Sequence, residues 1–306
     1  MKSAFRGLAA LCLAVPLAAN AGDSAPHPLV DTVWTGNGQQ TGLAALFEHA
    51  MGAEYVLIGE THPNPGHHQL QAELISHLSA NRTPAVVLEM VPRAFQRVLD
   101  TFNTSDAPDT AGLGKELHWE MLGWPDWVIY EPIAAVAAAA KLPLIAGGMD
   151  RRNPHADDTD KAAPVDEPQA VSYSAEQDDA LIAELKLSHC NLLPEEAIAP
   201  MLGIQKTRDL TMAVAMQDNA DKGGAVLVAG NGHVRTDWGV PYVLGKLTGE
   251  AETLAVGQIE VVTGLERFED YLEDGGTSLP FDYVLFTERV EIKDPCAELA
   301  EHLGKQ

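Results

Sequence analysis

The segment Tyr55-Val56-Leu57-Ile58-Gly59-Glu60-Thr61-His62-Pro63-Asn64-Pro65-Gly66-His67-His68 constrains the fold more than any other part of the chain. Its opening apolar run reads as a strand covered on both faces, the condition of a strand inside a parallel sheet. Asn64 offers a side-chain oxygen to the orphan amides of a helix start, and Pro65 suits the first helical position because it has no amide to lose. Leu70, Leu74 and Leu78 then recur every four residues and give the predicted helix a buried stripe. Strand, loop and helix in that order place Glu60, His62, His67 and His68 at a strand's carboxyl end, where open α/β sheets bind ligands.

The same pattern recurs along the chain. Ala85-Val86-Val87-Leu88 delivers Glu89, Leu144-Ile145-Ala146 runs into Gly147-Gly148-Met149-Asp150, and Ala225-Val226-Leu227-Val228-Ala229 runs into Gly230-Asn231-Gly232-His233. Helices predicted over 41–51, 66–80, 175–187 and 194–221 alternate with these strands, and further strands fall near 253–262 and 283–290, before a short closing helix. The expected fold is α/β, a mainly parallel sheet flanked by helices. Two insertions, 92–140 with its aromatic knot of Trp119, Trp124, Trp127 and Tyr130, and 151–222, are expected to form a helical cap over the strand C-terminal ends. The second opens with a polar stretch, 151–169, that has little power to build a core. Residues 22–40 read as a loose lead-in, and residues 22–306 as a single domain.

The N-terminus reads as a targeting segment. Lys2 and Arg6 precede an apolar run, Gly7 to Ala18, that is too short to span a bilayer, and Ala19-Asn20-Ala21 is a small-residue cleavage site. Residues 1–21 are therefore read as a cleaved secretory signal. Cys12 makes a poor lipid-attachment site because Leu11, not a small residue, precedes it, and no other segment is suited to cross a membrane. Cleavage leaves Cys190 and Cys296 in an oxidising space, as a disulfide or as two buried thiols. A formal charge of −24 disfavours nucleic acid and anionic membranes, and it obliges any anionic ligand to find a local basic patch.

One short motif, Gly-x-x-His, occurs at two of these strand ends, as Gly59-Glu60-Thr61-His62 and as Gly230-Asn231-Gly232-His233. His62 and His233 are expected to face each other across one crevice with Glu60 and Glu89 between them. That set suits a metal or proton transfer, since neutral imidazole ligates divalent metals and a neighbouring carboxylate serves as ligand or general base. Plainer roles stand beside these. Both histidines could merely tie the loops, Glu89 could pair with Arg93 at four-residue spacing, and Tyr130 could simply pack among the aromatics. His67 and His68 fall in a first helical turn, where the dipole disfavours a charged ring; they are expected to be neutral, with at least one facing solvent.

The segments Ile58 to His68, Leu88-Glu89-Met90-Val91-Pro92-Arg93, and Gly230 to Pro241 resemble the ChaN-like branch of the haem-binding uptake and Tiki superfamily. Trp127 to Pro132 and the run from His189-Cys190 through Gln205, Arg208 and Asp209 extend the resemblance over roughly residues 50–245. The resemblance implies haem as the cofactor and a role in haem or iron acquisition, with an outer-membrane haem transporter as a partner and a homodimer as an open option. It would draw His62, His67, His68 and His233 to the cofactor, with Tyr130 as a phenolate ligand and Arg93, Arg151, Arg152 or Arg235 as propionate donors. Members are often lipoproteins; without a convincing lipobox, this chain is expected to be soluble in the periplasm. The wider superfamily includes metal-dependent proteases and esterase-like enzymes. The alternative is thus a hydrolase in which His62, Glu89 and His233 hold a divalent metal ion and Glu60 activates water.

Overall fold

The structure, a computed structural model, describes residues 26–150, 171–221, 223–249, 251–273, 275–290 and 295–304. The signal read over residues 1–21, and the polar stretch 151–169 with Arg151 and Arg152, lie outside them. The chain opens on a short hairpin, β1 (Val33–Thr35) and β2 (Gln40–Thr41), followed by α1 (Leu43–Gly52) and β3 (Tyr55–Glu60). Next come α2 (Pro65–Ser79), β4 (Ala85–Pro92), α3 (Gln96–Asn103), α4 (Thr110–Glu116), α5 (Trp119–Leu122), α6 (Trp127–Ala140) and β5 (Leu144–Gly148). The second half holds α7 (Ala175–Ser188), α8 (Glu195–Asn219), β6 (Ala225–Gly230), α9 (Asn231–Val234), α10 (Val240–Thr248), β7 (Thr253–Glu260), β8 (Tyr283–Thr287) and α11 (Pro295–Gly304).

The eight strands form one sheet in the order β2-β1-β8-β7-β3-β6-β4-β5. Pairings from β8 through β5 are parallel, and only β1 pairs antiparallel, with β2 and β8. The hairpin lies in the stretch read as loose. Its strands are too short to show alternation, and its turn uses Gly38 at φ +86. Every residue of β3 is buried because side chains of both parities meet a helical layer. Val56 and Ile58 join the core made with α1, α2 and α6, whereas Tyr55 and Leu57 join the core made with α8 and α10.

Asn64 caps α2 as the sequence predicts, its side chain accepting from Gly66 N at 2.9 Å, with Pro65 at the first turn. The buried face of α2 is broader than the leucine stripe: His67, His68, Gln71, Ala72, Leu74, Ile75 and Leu78 face inward, while Leu70 lies at the edge. The two insertions supply helices to both layers. Their side chains that reach the strand-end residues include Trp124, just before α6, Tyr130 on α6, and Gln205, Arg208 and Asp209 on α8. Cys190 and Cys296 form a disulfide across 106 residues and tie α11 to the turn after α7. Closing a loop of that length removes about 4 to 5 kcal/mol of unfolded-chain entropy in the loop-closure model.

The outer strand β5 would expose its ladder groups to another chain, but α3 covers them with side-chain amides. Asn103 accepts from Leu144 N at 2.9 Å and donates to Leu144 O at 3.0 Å, and Gln96 accepts from Ala146 N at 2.8 Å. These amides stand in for a ninth strand and blunt the edge. Asn103→Ala leaves both Leu144 backbone groups unpaired and is expected to lower stability by about 1 to 3 kcal/mol. A reduced urea midpoint at unchanged slope is the signature to measure.

Candidate functional site

The crevice arises where β3 and β6 lie side by side, with Glu60 opposite Gly230 in the parallel register. The chain leaves β3 for α2, in one layer, and leaves β6 for α10, in the other. Loops that diverge to opposite faces from neighbouring parallel strands open a switch-point crevice. Both Gly-x-x-His copies fall there, and their glycines fit one copy to the other. A Cβ on Gly59 would run into the Asn231 side chain, and one on Gly230 would sit 3.1 Å from His62 Nε2. Asn231 uses the room to bridge β7, donating to Gln258 O at 2.7 Å and accepting from Gln258 N at 3.1 Å.

Glu60 is 2 % exposed, and a buried carboxylate is costly unless its oxygens are paired. One oxygen lies 2.7 Å from His62 Nδ1, and the other accepts from Gln71 Nε2 at 2.8 Å and lies 3.0 Å from His68 Nδ1. Burial opposes ionisation, but the bonds from His62 and His68 outweigh it and bring the Glu60 pKa down to about 2. His68 donates from Nε2 to the carbonyl of His62 at 2.9 Å while Nδ1 faces the carboxylate, so both ring nitrogens carry protons. Burial alone would lower its pKa; the Glu60 charge raises it instead. His68 is therefore an imidazolium, against the neutral ring expected at a helix start, because a carboxylate in contact outweighs the helix dipole.

Glu89 lies at the irregular end of β4, where the register with β5 shifts. Gly230 N donates to one of its oxygens at 2.7 Å, and the other is held by Arg208 and lies 3.3 Å from His233 Nε2. His233 Nδ1 donates to Asp209 Oδ1 at 2.5 Å. Burial would depress the His233 pKa, but Glu89 and Asp209 carry it to about 9. Burial likewise opposes the Glu89 charge, and His233, His62 and Arg208 together hold its pKa well below the usual carboxylate range. His233 thus bridges Glu89 and Asp209 behind His62, with Asp209 Oδ2 left without a hydrogen-bond partner among the described residues.

Of the predicted set, the structure brings together Glu60, His62, Glu89, His233, His68 and Tyr130, and it leaves three others apart. His67 is fully buried, accepting from Thr61 N at 2.8 Å and donating from Nε2 to Thr287 at 2.7 Å. Burial lowers its pKa to about 4, so it is a neutral tie between loops, and neither His67 nor His68 faces solvent. Arg93 is exposed and does not pair with Glu89; β4 stays extended through Pro92, so four-residue helical spacing does not apply, and Arg208 takes that place. Arg235 is 8 % exposed and spent on Asp237 at 2.7 Å, on Glu273 at 2.6 Å and on the face of Trp238.

Tyr130 lies under the cluster, with its hydroxyl 3.3 Å from the His62 carbonyl and 3.4 Å from Glu60. Burial and the Glu60 charge push its pKa far up, so it is a phenol that supports the loop rather than an open phenolate ligand. Gln71 completes the Glu60 shell and was not singled out from the sequence. Its one signal is a polar residue spaced three from His68 and four from His67 on the face that also carries Leu74 and Leu78.

His62, Glu89 and His233 do not form an open ligand set, because both nitrogens of His233 and both oxygens of Glu89 are engaged. Among the described residues no group of three or more His, Cys, Asp or Glu is arranged to hold a metal ion. What remains open is His62 Nε2. Its partner nitrogen is fixed by Glu60, its ring packs against Trp124 at 4.7 Å between centroids, and its side chain is 29 % exposed.

An open α/β sheet with a histidine and carboxylate centre at its switch point defines the class of this protein. The family model described as haem-binding uptake, Tiki superfamily, ChaN matches residues 46–244, and the chain belongs to that family. A solved structure of ChaN from Campylobacter jejuni, described as cofacial heme binding, is 21% identical with a TM-score of 0.62, covering 83% of this chain and 95% of that one. This likeness shows a shared fold. The type III effector HopBA1 aligns at 15% identity and a TM-score of 0.41, over 87% of this chain and 99% of that one. Among curated proteins none matches the sequence significantly.

The buried charges set a pH profile for stability. His233 is raised from 6.5 to about 9, so its contribution is full below pH 6.5 and is lost as pH climbs through 9. His67 is lowered from 6.5 to about 4 and Glu60 from 4.5 to about 2, so their contributions disappear on acidification, His67 first. Melting temperature should therefore decline on both sides of a plateau near pH 6.5, and His233→Gln should reduce the decline between pH 6.5 and 9, to which His62 and His68, also raised, contribute.

Proposed function

We propose that this chain binds haem at the strand-end crevice, with His62 Nε2 as the iron ligand, and that it serves haem or iron acquisition outside the cytoplasm. The observation that carries the reading is the one imidazole nitrogen left open among the histidines of the crevice. His67, His68 and His233 have both ring nitrogens occupied, whereas His62 has Nδ1 fixed and Nε2 without a hydrogen-bond partner among the described residues. A carboxylate on the far nitrogen orients a ligating histidine and raises its basicity. His62 would hold a haem through Nε2, and a bound haem would supply an iron centre with its own absorption.

A metal-dependent hydrolase needs His62, Glu89 and His233 open to one ion, and only His62 is. The haem reading needs one open nitrogen, and family membership favours it. Arg208, partly exposed, and the buried His68 and His233 are each paired with a carboxylate, so the crevice balances its own charge and is not a free basic patch. Secretion to the periplasm is supported by the signal-like N-terminus and by the Cys190 to Cys296 disulfide, which suits an oxidising compartment. An outer-membrane haem transporter as donor or acceptor of the ligand, and a homodimer as the working form, complete the proposal.

Haemin titrated into the purified chain should give a saturable Soret shift. His62→Ala should abolish the shift or weaken binding by about tenfold or more while leaving the fold intact, and Glu60→Gln should weaken it less. Unaltered haemin binding by His62→Ala would overturn the assignment of the ligand. Because a protonated ring cannot ligate iron, and the Glu60 bond and the Glu89 charge raise the His62 pKa despite burial, affinity should also decrease as the medium is acidified.

A further inference from the structure

The solvent face of the aromatic knot is at once apolar and acidic. A cleft of about 760 Å³ opens there between α4, α5 and the start of α6. Met121 and Val128 stand on its lining at 82% and 61% exposure, whereas Trp119 and Trp127 are buried. The single turn of α5 is fixed from both ends: His118 and Gly123, at φ +50 and +78, bracket it in the left-handed conformation, and Trp119 donates from Nε1 to Pro125 O at 2.7 Å. A non-glycine residue such as His118 is uncommon in that region and persists where the surrounding structure holds it. Met121 is thus presented to solvent on a pre-set turn. The charge is as one-sided as the exposure, since Asp106, Asp109, Glu116, Glu120, Asp126 and Glu131 stand against Lys115 within residues 106–131. That net of −5 over 26 residues is more than twice as dense as −24 over the 306 residues of the chain.

An exposed apolar pair among carboxylates selects its occupant. Nucleic acid, an anionic membrane and a second copy of this acidic chain would all meet like charge there. We propose that the cleft is the docking surface for a basic segment of another protein, whose apolar side chain enters beside Met121 and Val128 while its lysines or arginines pair with Glu120, Asp126 and Glu131. A basic amphipathic helix has that chemistry, and the flexible thioether of methionine repacks around apolar groups of varied shape. Asp126 Oδ1 accepts from Val128 N and Glu131 Oε1 accepts from Thr110, so these two carboxylates are ordered before a partner arrives. Trp124 sets the position of the docked segment, because it lies on the cleft lining and also packs on the His62 ring. The docking surface stands on these observations alone; that the partner gives or takes the ligand of His62 rests on the haem reading above.

The test uses the full chain and two synthetic peptides of equal positive charge, one an amphipathic helix of leucine and lysine, the other with serine in place of leucine. Calorimetric titration at physiological and at raised salt should show the leucine peptide saturating at one per chain, and the serine peptide weaker by about tenfold or more. Met121→Ser with Val128→Ser, at exposed positions, should leave melting temperature unchanged and weaken the leucine peptide by about tenfold or more. Glu120→Gln should weaken it by about threefold and flatten its salt dependence. Glu196→Gln, at an exposed position on α8, should leave it unchanged. Equal affinity for the two peptides, or an equal loss in Glu120→Gln and Glu196→Gln, means general attraction to an acidic surface and overturns the docking site. Failure of the leucine peptide to bind wild type overturns it too. Haemin, titrated separately, keeps the two readings apart: a Soret shift without peptide binding leaves the haem reading standing, and peptide binding without a Soret shift leaves the docking surface standing.

Discussion

Two buried carboxylates, Glu60 at the end of β3 and Glu89 near the end of β4, set the requirements that the surrounding structure meets. Moving a carboxylate out of water costs several kcal/mol even after relaxation, and it is tolerated only when its oxygens are fully bonded. Glu60 is met by His62, His68 and Gln71, and Glu89 by Arg208, His233 and the amide of Gly230. These partners come from α2, α8 and the turn after β6, so the charges draw both helical layers to one point. Asp209, buried behind His233, meets that histidine with Oδ1, while its Oδ2 is buried without a hydrogen-bond partner among the described residues.

This arrangement separates support from function. Glu60, His68, Gln71, Glu89 and His233 close on one another or on Asp209 and Arg208, and the ring nitrogen left open in the crevice, on His62, lies beside a partly exposed tryptophan. Rigidity at the base and an opening at the rim are what a pre-organised binding site needs, because ordering costs are met during folding rather than during binding. The glycines of the paired motif belong to the support. Their role is the close approach of Asn231 to β3 and of His62 to β6, not a turn that only glycine could make.

Much of the fold was open to reading because burial on both faces of a parallel strand leaves a continuous apolar run, and Tyr55 to Ile58, Ala85 to Leu88 and Ala225 to Ala229 all show it. The hairpin near Trp34 was not readable. Two strands of three and two residues carry no periodicity, and their place is decided by pairing with β8, far away in the chain. Of the site, Glu60, His62, Glu89 and His233 could be assembled from strand ends alone. Gln71 could not, since a buried glutamine looks like any surface glutamine until a carboxylate is placed beneath it.

By itself, the sequence determined the succession of elements along the chain: apolar runs that must be sheet interior, a capped helix at Asn64, and histidines and glutamates delivered to strand ends. Local periodicity and capping chemistry act over a few residues, so they leave their trace in neighbouring letters. Which of those side chains would be open, charged or sealed was decided only by tertiary structure. His68 is cationic because Glu60 lies 3.0 Å away, His67 is neutral because Thr61 and Thr287 close both its nitrogens, and Arg93 is excluded because Arg208 reaches Glu89 from a helix more than a hundred residues along the chain. Protonation and availability depend on distances across the fold, and no spacing in one chain segment encodes them.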